Sequence, residues 1–163
     1  MKGCGLVERE SMNKYTVRIS QANRGELLVV MYDVILEDLN SAKEKHKCGN
    51  LSGFVDELKH GQRFLCELMD TLDLKYSISH ELMRLYIYVN KEMINAMIRK
   101  DVTLVDNAIM VIEKLRKSYY ELSKEDDSAP LMQNVQQVYA GLTYGRGTLN
   151  ETSLDSHNRG FKA

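Results

Sequence analysis

The sequence predicts an all-α protein, specifically an antiparallel up-down four-helix bundle with a short fifth helix in a C-terminal tail. Apolar residues recur at helical spacing in four consecutive blocks of about 20 residues each. Only a few residues separate one block from the next, and such short connections between long helices favour antiparallel neighbours. With 163 residues and 44% hydrophobic content, the chain can bury one sizeable core.

The first predicted helix begins at Asn23 and fades near Lys47. Asn23 can cap the first backbone amides while Glu26 reaches back to it, which is a capping-box arrangement. The apolar residues between 27 and 39 sweep roughly 200° of the helix surface, about twice what an amphipathic helix buries. We therefore expect this helix to be buried on two sides. Asp38 lies inside the apolar arc, and the sequence offers no explanation for it.

The second predicted helix covers residues 52–73, after a break at Gly49 and Asn50. A dinuclear metal site in a helical bundle needs two Glu-x-x-His pairs aimed into the core, and the chain contains one, Glu57 with His60. Both residues lie off the apolar stripe, so we expect them to face solvent and expect no metal or other cofactor. The stripe consists of Phe54, Leu58, Gly61, Leu65, Leu68, Met69 and Leu72.

The third predicted helix runs from a cap at Ser79 to Lys100 and carries two apolar seams. The main seam consists of Leu82, Leu85, Tyr86, Val89, Met93, Ala96 and Met97. A bundle core uses one seam from each helix, so a second seam predicts a second partner. That second seam lies about 100° to 160° further round the helix and consists of Met83, Ile87, Ile94 and Ile98.

The fourth predicted helix opens at Asp101 and buries Leu104, Ala108, Val111, Ile112, Leu115 and Tyr119. We divide the chain into an N-terminal cap segment at 1–22, the four-helix bundle at 23–123, and a linker, short helix and flexible tail at 124–163. The short helix is predicted at 130–142, where apolar residues again fall on one face. We expect it to dock in cis on the second seam of the third helix.

Composition excludes several classes of function. The formal net charge of -1, with both signs interspersed, argues against a nucleic-acid surface. The longest apolar run is far short of the roughly 20 residues that span a bilayer, and the N-terminus lacks a signal-peptide core. We therefore expect a cytoplasmic protein without membrane insertion. The histidines have no visible nucleophile or carboxylate partner, so we expect no enzymatic activity.

Three segments, at residues 26–33, 68–73 and 82–90, resemble the FliS family of flagellar secretion chaperones. They read Glu-Leu-Leu-Val-Val-Met-Tyr-Asp, Leu-Met-Asp-Thr-Leu-Asp and Leu-Met-Arg-Leu-Tyr-Ile-Tyr-Val-Asn. Their order and spacing extend the resemblance over roughly residues 15–122. It implies a chaperone that binds the disordered C-terminal segment of flagellin, prevents premature polymerisation and delivers the subunit to the flagellar export apparatus. The resemblance leaves a homodimer open.

The resemblance also indicates partner-binding residues. In related proteins an N-terminal segment with a tyrosine lies over the bundle and the client can displace it, and Tyr15 and Ile19 match that segment. The alternative is that this segment only staples the start of the first helix. The amide of Asn90 interrupts an apolar arc and needs hydrogen-bond partners. The remaining predicted contacts are Leu28, Met31, Tyr32, Ile35, Leu72 and Tyr86.

The alternative function is a helical adaptor, or self-associating interaction bundle, that has lost flagellin binding. An open family groove would favour the chaperone, and a filled groove would favour the adaptor. The chain departs from the family pattern at Arg24, where a proline is usual, and in the extra tail after the fourth helix. Val34 and Ile35 replace the small residues that often follow the Tyr-Asp pair, and the predicted fold survives this change and the one at Arg24.

Overall fold

The computed structural model describes residues 15–126, 128 and 131. This part of the chain contains helices and no strand, which confirms the predicted all-α class. Residues 15–21 are helical and precede four long helices, which are α1 Arg24–Lys47, α2 Leu51–Asp70, α3 Ser77–Arg99 and α4 Val102–Ser123. Apart from Leu131, the predicted fifth helix at 130–142 lies outside the described residues, as do 1–14 and the predicted flexible tail.

The predicted helix starts are confirmed for α1 and α4. The Asn23 side chain accepts a bond from the Glu26 amide, and the Glu26 carboxylate accepts one from the Asn23 amide. Asp101 accepts a bond from the Thr103 amide at the start of α4. The backbone amides of a first helical turn have no partner within the helix, and in α1 and α4 the cap side chain satisfies one of them.

Two predicted boundaries of the middle helices are wrong. Helix α3 begins at Ser77 after Tyr76, and the predicted cap Ser79 is instead buried in the first turn. Ser79 lies on the same buried face as Leu82, so the first turn of α3 is part of the helix surface that packs on the core. Helix α2 ends at Asp70, three residues before the predicted end at residue 73.

The four long helices pack in a closed ring. Each packs against its neighbour along the chain, and α1 also packs against α4. The α2–α3 contact is the least extensive of the four. Helix α1 runs antiparallel to α4, because Asp33 pairs with Arg116 while Lys43, further along α1, pairs with Asp106, earlier on α4.

The core lies inside this ring. Its buried residues are Tyr32, Ile35, Leu39, Ala42, Phe54, Leu58, Leu65, Leu68, Leu82, Tyr86, Val89, Met93, Ala96, Val105, Ala108, Ile112 and Leu115. The sequence analysis missed Val105, although its spacing to Ala108 and Ile112 follows the helical repeat. Leu85, predicted in the main seam, is 38% exposed because it lies at the edge of the core face.

Candidate partner-binding surfaces

The N-terminal segment, residues 15–22, lies along the outer side of α1. Tyr15 Oη donates to Glu37 Oε2 at 2.6 Å, and Arg18 Nη1 donates to Asp33 Oδ2 at 2.7 Å. Burial and the Glu37 carboxylate raise the pKa of the Tyr15 hydroxyl, so it stays a donor at neutral pH. Val30 points away from the core on α1 and is only 2% exposed. The prediction that the first helix is buried on two sides is confirmed.

The position of Tyr15 bears on the two alternatives for this segment. Glu37 lies about four helical turns beyond the start of α1. A hydrophobic staple involves only the residues beside the helix start. The segment therefore contacts α1 well beyond the helix start, which is further than a staple alone would extend.

The segment is held by a three-residue ion cluster. Asp33 accepts hydrogen bonds from Arg18 on one oxygen and from Arg116 of α4 on the other. The Asp33 side chain is 14% exposed, so two cations compensate a carboxylate that is largely removed from water. Asp33 thereby links the segment, α1 and α4.

A cavity of about 450 Å³ opens beside this cluster. Its walls combine apolar side chains with cations and one carboxylate. It is lined by Arg18, Gln21, Ala22, Glu26, Val29, Val30, Tyr120, Ser123 and Lys124.

The described part of the C-terminal linker returns to the same end of the molecule. The Asn23 side chain donates to the Asp126 carbonyl at 3.0 Å, and the Leu131 amide donates to the Ala22 carbonyl at 3.1 Å. Asp126 and Leu131 therefore lie beside the start of α1.

Three tyrosines meet inside the ring. The hydroxyls of Tyr32 and Tyr86 hydrogen-bond to each other and join α1 to α3 across the core. The Tyr119 ring lies 5.7 Å from the Tyr32 ring. Burial raises the pKa of Tyr86 to about 12 and raises that of Tyr32 further, so both stay neutral.

The Glu57 side chain is largely covered, contrary to the sequence-based expectation, whereas the His60 side chain keeps 50% of its area exposed, as expected. His60 Nδ1 donates to Asp38 Oδ2 at 2.8 Å, and Glu57 pairs with Lys45. Both partners lie on α1, which packs beside the flank of α2 rather than only over its apolar stripe. The Asp38 carboxylate, which the sequence did not explain, therefore has His60 of α2 as its partner.

The second seam of the third helix lies at the surface on the flank that faces α2. Ile87 is 52% and Ile98 74% exposed, Ile94 is also exposed, and Met83 is half-buried. Asn90 on the same flank accepts a hydrogen bond from Gln62 of α2 at 2.7 Å, so its amide has the partner that the sequence required. We call Met83, Ile87, Ile94 and Ile98 the isoleucine face.

The predicted partner contacts fall into two groups. Tyr32, Ile35 and Tyr86 are fully buried core residues, so a partner reaches them only if the helices separate. The other group is half-buried at the edge of the core or in the N-terminal segment, and consists of Tyr15, Ile19, Leu28, Met31, Leu72 and Asn90.

The distinctive features of the described residues are the exposed isoleucine face and the polar contacts of the N-terminal segment. Within this region no group of His, Cys, Asp and Glu side chains could hold a metal ion. None of its helices is both long and apolar enough to cross a membrane. Fold and surfaces together define a helical protein of the interaction class.

Residues 9–126 match the family model described as Flagellar protein FliS, and the chain belongs to the FliS family. This family consists of chaperones of flagellum assembly, and the match covers the region over which the sequence resemblance extends. No protein with a curated description matches the chain.

Proposed function

We propose that the chain is a flagellin-specific export chaperone. It binds the disordered C-terminal segment of flagellin in the cytoplasm, prevents premature polymerisation and hands the subunit to the flagellar export apparatus, without catalysing a reaction. Family membership supports the chaperone class. The observation that carries client binding is the isoleucine face, because a segment that folds on binding must bury apolar surface to offset its ordering cost.

The client docks along the flank between α2 and α3. This is the least extensive helix contact in the ring, and the exposed isoleucines follow it along α3. Gln62 and Asn90 carry amide groups on this flank that can bond to the backbone of an incoming segment. Tyr32, Ile35 and Tyr86 support this surface from the core rather than touch the client.

The N-terminal segment acts as a displaceable cap over α1. Its described contacts to α1 are predominantly polar, through Tyr15 with Glu37 and Arg18 with Asp33. When Arg18 leaves, Asp33 keeps Arg116 as its cation, so the carboxylate is not left unpaired and the cost of releasing the segment is reduced. Its release would expose Val29 and Val30 as additional apolar surface.

The four long helices form an up-down bundle in this proposal. The ring of contacts and the connections at 48–50, 71–76 and 100–101 support an antiparallel up-down bundle. The short fifth helix predicted at 130–142 lies outside the described residues apart from Leu131, and its docking in cis on the isoleucine face stays a prediction.

Calorimetric titration with a flagellin C-terminal segment at several temperatures tests the proposal. We expect submicromolar affinity and a large negative heat-capacity change, because apolar surface is buried as the client folds. The variant Ile87→Ser/Ile98→Ser should weaken binding by at least about tenfold, since each isoleucine loses buried apolar area.

Met110→Ser is the matched control, because Met110 is equally exposed but lies on the outer side of α4. It should leave the affinity unchanged. Absence of binding by the folded protein, with or without residues 132–163, would instead favour the helical adaptor.

A further inference from the structure

The N-terminal segment meets α1 at a two-residue hinge, Ala22 and Asn23, where the backbone leaves the helical conformation. The helix at 15–21 ends before the hinge, and α1 begins after it. Both hinge residues are buried, with Ala22 3% and Asn23 6% exposed. A connection between helices usually lies in water, because its backbone groups need hydrogen-bond partners. The partners of this buried hinge therefore decide how freely the segment can move.

The C-terminal linker supplies two of those partners. The Leu131 amide donates to the Ala22 carbonyl at 3.1 Å, and Asn23 Nδ2 donates to the Asp126 carbonyl at 3.0 Å. The Asn23 bond joins residues that are 103 positions apart in the sequence, so the hinge is held by the opposite end of the bundle's chain. We call Asp126 and Leu131 the latch residues.

The peptide unit between Ala22 and Asn23 is bonded on both sides. Its carbonyl accepts from the Leu131 amide, and its amide donates to the Glu26 carboxylate at 3.0 Å. Rotation about the N–Cα bond of Asn23 turns this rigid peptide unit and breaks both bonds. Bending at Ala22 instead would uncover a side chain that is 3% exposed. The hinge therefore opens at Asn23 only when the Leu131 bond breaks.

The packing of two helix ends places the linker beside the hinge. The start of α1 and the end of α4 approach so closely that a Cβ atom on Gly25 would lie 3.1 Å from Ser123 Cβ. The chain leaves α4 at Lys124, next to this contact. The cavity of about 450 Å³ lies at the same place, with walls from the N-terminal segment, α1 and α4. Hinge, linker and cavity thus share one end of the bundle.

We propose that the latch residues control the release of the N-terminal segment: the C-terminal linker holds the hinge closed, and the segment leaves α1 only when the linker leaves Ala22 and Asn23. Release would remove one wall of the cavity and expose Val29 and Val30. By thermodynamic linkage the effect is reciprocal, so weakening the segment's own contacts also loosens the linker. The coupling belongs to the two ends of the chain, and only its consequence for client access rests on the proposed function.

Two substitutions each remove one latch bond and keep the rest of the hinge. Leu131→Pro removes the amide donor, whereas its control, Leu131→Ala, keeps the donor. Asn23→Ser keeps an oxygen that caps α1 but loses the amide group that reaches the Asp126 carbonyl. Its control is Asn50→Ser, the same change at the start of α2, where Asn50 accepts the Gly53 amide at 2.9 Å.

Amide hydrogen exchange of the full-length chain measures the coupling. We expect Leu131→Pro and Asn23→Ser each to speed exchange in residues 15–22 about two- to tenfold, because each removes one neutral hydrogen bond. Exchange around Leu39 should stay slow, and both controls should match the parent. Conversely, Arg18→Ala should speed exchange in the linker, which a purely local role of Arg18 would not do.

The proposal fails if Leu131→Pro speeds exchange in the linker and leaves residues 15–22 unchanged. Equal effects of Leu131→Pro and Leu131→Ala on these residues, or of Asn23→Ser and Asn50→Ser, would also overturn it. Acceleration throughout α1 would do the same, because the linker would then stabilise the bundle rather than the hinge. None of these outcomes involves flagellin, so failure of the flagellin titration bears on the proposed function alone.

Discussion

Asp38 is a carboxylate buried between α1 and α2 with His60 as its hydrogen-bond partner. Burial raises its pKa from the ordinary 3.8 to about 6, against the opposing effect of His60. Folding thus favours the protonated form. The stability that Asp38 contributes is fully present below about pH 4 and is lost as the pH rises through about 6.

Asp38→Asn should therefore stabilise the protein at pH 7.5. The amide cannot ionise and can still accept the bond from His60, so we expect a gain of about 1 to 2 kcal/mol in the free energy of unfolding. The gain should approach zero at pH 4. Urea denaturation at both pH values measures it, with Glu44→Gln on the exposed side of α1 as the control. A variant less stable than the parent at both values would contradict this account.

Because the Tyr32 and Tyr86 hydroxyls bond to each other, the stability costs of substituting them should not be additive. Tyr32→Phe or Tyr86→Phe leaves one buried hydroxyl without its partner, which costs about 1 to 3 kcal/mol. The double substitution removes both polar groups and should cost less than the sum of the two. A double-mutant cycle by denaturant unfolding measures the coupling. Additive costs would mean that the hydroxyls do not depend on each other.

At the scale of elements, the N-terminal segment is linked to α1 by the Tyr15–Glu37 and Arg18–Asp33 contacts. Arg18→Ala should speed amide hydrogen exchange in residues 15–22 while exchange around Leu39 stays slow, because only the segment loses its ion pair. Arg24→Ala, an exposed arginine at the start of α1, is the control. Equal acceleration along α1 would show that the segment and helix open together.

The α1–α2 contact depends on a close approach at Gly61. A Cβ atom there would lie 3.3 Å from Asp38 Cβ and 3.5 Å from Met93 Cε. The Asp38 Cβ is fixed to its helix backbone, so α1 must shift. We expect Gly61→Ala to lower the free energy of unfolding by about 1 kcal/mol, despite the roughly 1 kcal/mol gained in helix propensity. A stabilised variant in thermal unfolding would show that the helices separate easily.

At the scale of the whole molecule, truncation tests the prediction that residues 130–142 dock in cis on the isoleucine face. Removing residues 132–163 keeps the Leu131 bond to Ala22 and should expose more of the isoleucine face. We expect higher affinity for the flagellin segment and more binding of a hydrophobic dye. Ile87→Ser in the full chain should abolish the difference. Unchanged affinity and dye binding after truncation would remove the tail from the mechanism.

The sequence by itself determined the elements of this protein. Helical periodicity gave four helices, and the Asn23 and Asp101 caps fixed two starts, because both signals act between residues a few positions apart. The surplus apolar residues of the first and third helices also predicted surfaces beyond one core. Family membership followed from the same local segments.

Only the tertiary structure decided how that surplus is used. It buries Val30 at the cavity beside the N-terminal segment but leaves Ile98 exposed, although both lie outside the core face of their helices. It also pairs Asp38 of α1 with His60 of α2. Periodicity gives the direction of a side chain on its own helix, whereas burial and pairing depend on which helix lies opposite, and that is set by packing.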